Sequence, residues 1–252
     1  GATSFNQPLN SWNVGSVTNM LSMFQGATSF NQPLDNWNVS SVTTMASMFS
    51  GAQSFNQDIS SWTTTSLTNI TGMFFNAISF NQPLNTWDVS NVTTFGGPFA
   101  GNEVFNNTPF NQPLDNWDVS SGTEFRRMFG GAKQFNQDIS MWNVSNAQRM
   151  NRMFFDADAF DQDLSAWDIA SVFDFGDFMT NATGLSTANY DALLIGWEAT
   201  LQAVWPGGVG YPYTISINFG GSQYSSALMN AGEARYNLLN VFGWTITDGG
   251  AV

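Results

Sequence analysis

The chain has 252 residues, 42% hydrophobic and 10% charged: enough apolar content for a core, but with no run of about 18 apolar residues that could span a membrane. Nineteen acidic against six basic residues give a net charge of −13, which argues against nucleic acid and anionic lipid as partners. Cysteine and histidine are absent, which excludes disulfides, Cys/His metal sites, Ser-His-Asp triads and Cys-His dyads and leaves carboxylates as the enzymatic option.

The chain opens at Gly1-Ala2, which reads as the tail of a repeat and so as a piece of a longer protein. No signal peptide or lipidation motif is found. From Phe5 the stretch FNQPLNSWNVGSVTNMLSMFQGATS runs to Ser29, and at Phe30 it begins again. Trp recurs at 12, 37, 62, 87, 117, 142 and 167, so seven copies span residues 1–184 at steps of 25, with one step of 30. The extra residues fall near 101–110, where VFNNTPFNQPL holds Phe-Asn twice.

The first half of each copy predicts a short strand or extended segment, because Pro33 and its equivalents deny a helix interior. The second half predicts a short helix. In Ser41–Ala52, Val42, Met45, Met48, Phe49 and Ala52 recur at spacings of three and four, Ser40 or Ser41 offers an N-cap, and Gly51 stands where a helix stops. Neither piece can bury its apolar face alone, whereas stacked copies can. The expected fold is therefore an α/β solenoid with a short strand and a short helix in each 25-residue rung.

Residues 185–252 depart from the frame and read as a degenerate eighth repeat with a C-terminal α/β cap in the same folding unit. Ser186 or Thr187 caps a helix whose apolar positions are Tyr190, Leu193, Leu194, Trp197 and Leu201, and Pro206-Gly207-Gly208 ends it. Tyr213–Phe219 alternates like a strand, Ser225–Phe242 reads as a second helix stopped by Gly243, and Trp244–Thr247 as a final strand. A unit of atypical sequence is what covers the apolar cross-section of a solenoid end.

Repeated positions form columns. Asn at 6, 31, 56, 81, 111 and 136 (Asp161 in the last copy) and Gln at 7, 32, 57, 82, 112, 137 and 162 suit a ladder that satisfies backbone groups at turns; a row of surface amides for recognition is the alternative. The Trp column suits core packing, or else an exposed aromatic platform. Binding specificity is expected where the pattern breaks, including the variable pairs Asn10-Ser11 and Asp35-Asn36 between Leu and Trp.

Five of the six basic residues lie within 126–152. Arg126, Arg127, Arg149 and Arg152 form a candidate anion or partner site. Charges also alternate down two columns, Arg127-Arg152-Asp177 and Glu124-Arg149-Asp174, so a salt-bridge ladder at roughly 5 Å rung spacing accounts for them without a ligand. Asp156, Asp158, Asp161 and Asp163 form a weak calcium candidate without the glycine and terminal glutamate of an EF-hand loop. Asn102, Glu103, Asn106, Asn107 and Thr108 in the insertion are the first choice for a local binding contact; upstream, FGGPFAG (95–101) replaces the usual helix. The N-x-[ST] matches arise from the repeat itself.

The frame SFNQPLDNWNVSSVTTMASMFSGA resembles the BspA-like leucine-rich-repeat surface proteins of bacteria, whose repeat of about this length carries W-[ND]-[VT]-S-x-V-T-x-M-x-x-M-F. The likeness covers residues 1–185, and LSTANYDALLIGW with YSSALMNAGEARYNLLNVFGWTITDGG is similar to the unit that closes such arrays. The resemblance implies a right-handed, curved, leucine-rich-repeat-like solenoid. It also implies a bacterial cell-surface or secreted location and a monomeric module of a large adhesin. Protein, peptide or glycan is the implied partner, and no catalytic residue is implied. A structural spacer that binds nothing is the main alternative, and a carboxylate-based hydrolase a remote one.

Overall fold

A computed structural model describes residues 1–97, 101, 103–226 and 229–252. Copies of the repeat lie one on the next in chain order. Asn19, Thr44, Asn69, Thr94, Glu124, Arg149 and Asp174 form a continuous row of parallel bridges, one residue from each copy. Two rows of phenylalanine run beside it. Phe5, Phe30, Phe55, Phe80, Phe110, Phe135 and Phe160 stack at 5.8–6.3 Å between ring centres. Phe24, Phe49, Phe74, Phe105, Phe129 and Phe154 stack at 5.5–5.9 Å. The last Phe of one copy sits face to face with the first Phe of the next at 3.8–4.2 Å. Buried residues of every copy belong to one hydrophobic core.

The second half of each rung differs from the expected helix. Among the described residues, both α-helices lie beyond residue 186. Residues 41–52 are turns around a single bridge at Thr44. Two left-handed residues, four apart, interrupt six of the seven copies: Ser22 and Gly26, Ser47 and Gly51, Gly72 and Asn76, Arg127 and Gly131, Arg152 and Asp156, Asp177 and Asn181; in the copy with the insertion, Gly101 and Asn107 are left-handed. A right-handed helix cannot pass through them. The backbone instead alternates its partners. The N–H groups of Met23, Gln25 and Ala27 close turns onto carbonyls three residues back, while those of Met20, Ser22, Phe24 and Gly26 donate to Thr44, Ala46, Met48 and Ser50 of the next rung. Gly51 thus occupies one of these left-handed slots, at φ 69°. The expected strand in the first half is extended chain whose paired stretch lies elsewhere, in the bridge row of the second half.

The long step has its excess chain upstream of the doubled Phe-Asn. Phe74 follows Ile70 by four residues, whereas Phe105 follows Phe95 by ten. Phe105 belongs to the Phe74–Phe129 row and Phe110 to the Phe80–Phe135 row, so the two Phe-Asn pairs belong to different columns. Pro98 of the FGGPFAG stretch lies outside the described residues.

Residues 185–252 hold helix α1 (Thr187–Val204), strand β1 (Ser216–Asn218), helix α2 (Met229–Asn240) and strand β2 (Thr245–Thr247). Ser186 caps α1 by accepting the N–H of Asn189. The helix buries Tyr190, Leu193, Leu194, Trp197 and Leu201, the apolar positions that its spacing marks. Strand β1 pairs in parallel with β2, and Met179 of the last rung donates to Asn218, so the parallel bonding of the stack continues into this unit. Asp248, at the end of β2, accepts from the Tyr190 hydroxyl and from Arg235, tying both helices to the strand.

Candidate functional site

The repeated polar and aromatic columns face inward or toward one another. Oδ1 of Asn6 accepts the backbone N–H of Asn31 at 2.9 Å and the side-chain amide of Gln32 at 3.1 Å. The same pair of bonds recurs from Asn31, Asn56, Asn81, Asn111 and Asn136 to the following rung. One short amide thereby satisfies a backbone donor that the turn leaves without a carbonyl. From Trp37 to Trp167 each indole is buried and donates to the Leu or Ile carbonyl of the rung before it, at 2.8–3.1 Å. Trp12, in the first rung, is 54% exposed.

The terminal unit reproduces these contacts with different residues. Trp197 donates to Leu164 at 2.9 Å, as the next indole of the column would. Ser186 donates its N–H to Asp161 as the next Asn would, and Asn189 takes the place of Gln, donating to the Asp161 backbone carbonyl and to its Oδ1. Burial pushes the Asp161 carboxyl up, but the bonds from Ser186 and Asn189 outweigh it and hold the group below the ordinary carboxylate range.

The arginine-rich rungs are internally paired. Arg149 binds Glu124, and Arg152 binds Asp177 at 2.8 Å, each across one rung step. Arg127 turns instead to Glu103, at 2.8 Å. Arg126 contacts Glu124 at 2.8 Å with its N–H misaligned for a hydrogen bond, and Lys133 meets Asp158. Of these five ion pairs, Arg149–Glu124 and Arg152–Asp177 follow the predicted columns, and Arg127 draws its acid from the insertion.

The insertion residues support the rungs beside them. Glu103, 4% exposed, joins Arg127 to the N–H of Gly101. Asn106 donates to the Gly130 carbonyl, Asn107 to the Asn76 side chain, and Thr108 to the Phe105 carbonyl. Asn102 lies outside the described residues. Among the described members of the set, Asn107 is the exposed one. The variable positions are likewise linked between rungs, Asn10 donating to Asp35 and Asn85 to Asp115.

The four residues of the calcium candidate have separate places in the fold. Asp156, Asp158, Asp161 and Asp163 do not converge: among the described residues no three acidic side chains are placed to hold a metal ion. Asp156 fills a left-handed slot, Asp158 pairs with Lys133, Asp161 holds the terminal unit, and Asp163 accepts the N–H of Ser165. Asp35 and Asp58 line one hollow of about 480 Å³ with Pro33, Gln57 and Ser61. The Ser60 hydroxyl and N–H hold Asp58 below the usual carboxylate range, the reverse of the raised acid that glycoside hydrolysis uses.

An aromatic patch at the junction of the last rung and the terminal unit is what the sequence reading missed. Phe173, 36% exposed, lies 6.0 Å from Tyr213, which lies 5.7 Å from Tyr211; Tyr211 lies 5.2 Å from Trp205. Arg149 stands 4.6 Å over the Phe173 ring. Tyr211 accepts from Trp244, and burial pushes its phenol up to about 12, so it stays neutral at physiological pH. One signal was available: Phe173 replaces the Thr of Thr43, Thr68, Thr93 and Thr123 in its column.

No curated protein and no solved structure matches the chain. Two tandem stretches, residues 1–109 and 101–191, match a single protein family. With most of its length accounted for in this way, the chain belongs to the bacterial repeat family described as Mycoplasma protein of unknown function, DUF285.

Proposed function

We propose that the chain is a non-enzymatic surface module of BspA-like character. Its stacked rungs act as a leucine-rich-repeat-like solenoid, and it contacts a protein, peptide or glycan on another surface. The observation that carries this reading is the distribution of aromatic rings. From Phe24 to Trp167 most of the repeats' Phe and all of their Trp lie in the core, whereas Phe173, Trp205, Tyr211 and Tyr213 gather at the last rung and the terminal unit with partial exposure. Clustered aromatics rimmed by polar residues are a common form of recognition surface. The paired arginines and linked Asn-Asp positions of the rungs favour rigidity over ligand capture, so the repeats hold the patch at a distance and the patch makes the contact.

Glycan and peptide arrays test this, probed with the parent chain and with a Phe173→Ser, Tyr213→Ser variant. Binding on either array that the double variant loses supports the reading and identifies the ligand class. A blank result on both arrays favours the spacer, for which the small, mutually bonded side chains of the rungs are the supporting feature.

A further inference from the structure

One turn of the stack is a residue shorter than its equivalents. Between the alanine column and the next Phe the regular copies place two residues: Thr28-Ser29, Gln53-Ser54, Ile78-Ser79, Lys133-Gln134 and Asp158-Ala159. The copy with the insertion places Pro109 alone between Thr108 and Phe110. This turn also carries a bonded column. The N–H of Ser29 donates to the Thr3 carbonyl, Ser54 to Thr28 and Ala159 to Lys133, each on the rung before. Pro109 has no N–H to offer. Among the described residues the column makes no such bond at Ser79, Pro109 or Gln134, so the Ile78 carbonyl and the Gln134 N–H have no backbone partner on either side of the short turn.

A hollow of about 230 Å³ opens at this place, with Ile78, Asn107, Pro109, Lys133 and Gln134 in its lining. Ile78 is 54% exposed in a column that otherwise holds Thr28, Gln53, Lys133 and Asp158. On a chain of net charge −13, no carboxylate lines the hollow. Its cation is Lys133, which meets Asp158 at 3.3 Å with most of its side chain exposed. So exposed a pair contributes little, and the ammonium is free to turn to another anion.

We propose that this hollow binds an extended acidic peptide segment of another protein, through one peptide group and a carboxylate beside it. In a regular copy the carbonyl of the first turn residue and the N–H of the second belong to one peptide group: Thr28 accepts from Ser54 while Ser29 donates to Thr3. That peptide group is what the short turn omits, and a segment lying in the hollow supplies it. Its N–H donates to the Ile78 carbonyl, and its carbonyl accepts from the Gln134 N–H. An aspartate or glutamate of the segment reaches Lys133, and an aliphatic neighbour packs on Ile78 and Pro109. The backbone bonds are those of strand addition at an open edge, and the ammonium selects an acidic over a neutral side chain. The site shares no residue with the aromatic patch and does not rest on it.

The test is an NMR titration of the isotope-labelled 252-residue chain with acetyl-Val-Asp-Val-amide, followed through the backbone amide of Gln134. A saturable shift, half complete at about 1 mM or below, is expected. The peptide with asparagine for aspartate, and the peptide N-methylated at its backbone amides, should each bind about tenfold or more weakly. Lys133→Gln should weaken the parent peptide about tenfold, and Ile78→Asp, which sets a carboxylate on the rim, at least as much. Both positions are exposed, so these variants should keep the unfolding midpoint of the parent. Met141→Lys, at a residue 84% exposed elsewhere, and the Phe173→Ser, Tyr213→Ser variant should bind the peptide as the parent does, which separates a failure here from a failure of the patch. No saturation by about 20 mM overturns the proposal. Equal binding of the asparagine or N-methylated peptide also overturns it, as does equal saturation by glucuronate, since any small carboxylate would then suffice.

Discussion

Replacing Asn111 by alanine isolates the amide ladder from the aromatic core. Its Oδ1 accepts the Asn136 N–H at 2.9 Å and the Gln137 amide at 2.9 Å. Alanine leaves a backbone donor without an acceptor, at about 1–3 kcal/mol, and removes a second bond worth about 0.5–1.5 kcal/mol. The site is half-buried, so water replaces part of each, and a loss of about 2 kcal/mol is expected. In urea, with a slope near 3 kcal/mol per M, the midpoint of the tryptophan fluorescence transition should fall by roughly 0.7 M. Asn111→Asp keeps an oxygen in place, as Asp161 does naturally, and should cost less than about 1 kcal/mol at pH 7. If both variants lose the same amount, or if alanine shifts the midpoint by less than about 0.2 M, the amides are surface groups and the ladder argument fails.

Trp142→Ala should cost about 3–5 kcal/mol, because it empties a buried column and strands the Leu114 carbonyl; the exposed Trp12→Ala should cost under about 1 kcal/mol in the same assay. The depressed Asp161 carboxyl contributes stability that is complete above its unfolded value near 3.9 and is lost as pH falls through the lower folded value. Acid unfolding of Asp161→Asn should therefore show a shallower loss below about pH 4 than the parent; parallel curves would remove Asp161 from the account. Gly96→Ala should be among the most damaging single changes, since its added Cβ would fall 1.8 Å from the Arg126 carbonyl oxygen. A calorimetric midpoint within about 2 °C of the parent would show that the insertion gives way instead.

The period, the columns and the helix positions of the terminal unit were legible because each rests on local spacing. The missing repeat helix has a specific cause. Val42, Met45, Met48, Phe49 and Ala52 keep helical spacing in a chain of turns, since each turn also returns a side chain to the core every three or four residues. The contrary signal was the recurrence of Gly, Asn, Asp or Ser at the two left-handed positions of each copy. Arg127 and Arg152 occupy one of those positions and blur it. The charge columns foretold the Arg152–Asp177 and Glu124–Arg149 pairs. They could not foretell Glu103 reaching Arg127, because an insertion has no register to count from. The aromatic patch was illegible for a similar reason: Phe173 meets Tyr213 across forty positions that leave the repeat frame and include helix α1.

The inequality of the two ends sets where the stack opens first. In a repeat array, stability is close to a sum over neighbouring rungs, and an end rung has one neighbour where an inner rung has two. At the C-terminal end Trp197, Ser186 and Asn189 restore the missing neighbour. At the first rung nothing among the described residues does so, and Trp12 stays wet. In the 252-residue chain taken on its own, opening should therefore begin at residues 5–29 and proceed inward. Hydrogen exchange tests this directly through the N–H groups that cross from one rung to the next. Protection should be low for Met20 and Ser22, rise at Met45 and Ser47, and level off by Phe125 and Arg127, with no second fall at Met150 and Arg152. A profile symmetric about the middle of the stack would mean that the terminal unit imitates the contacts of a rung without its stabilising effect.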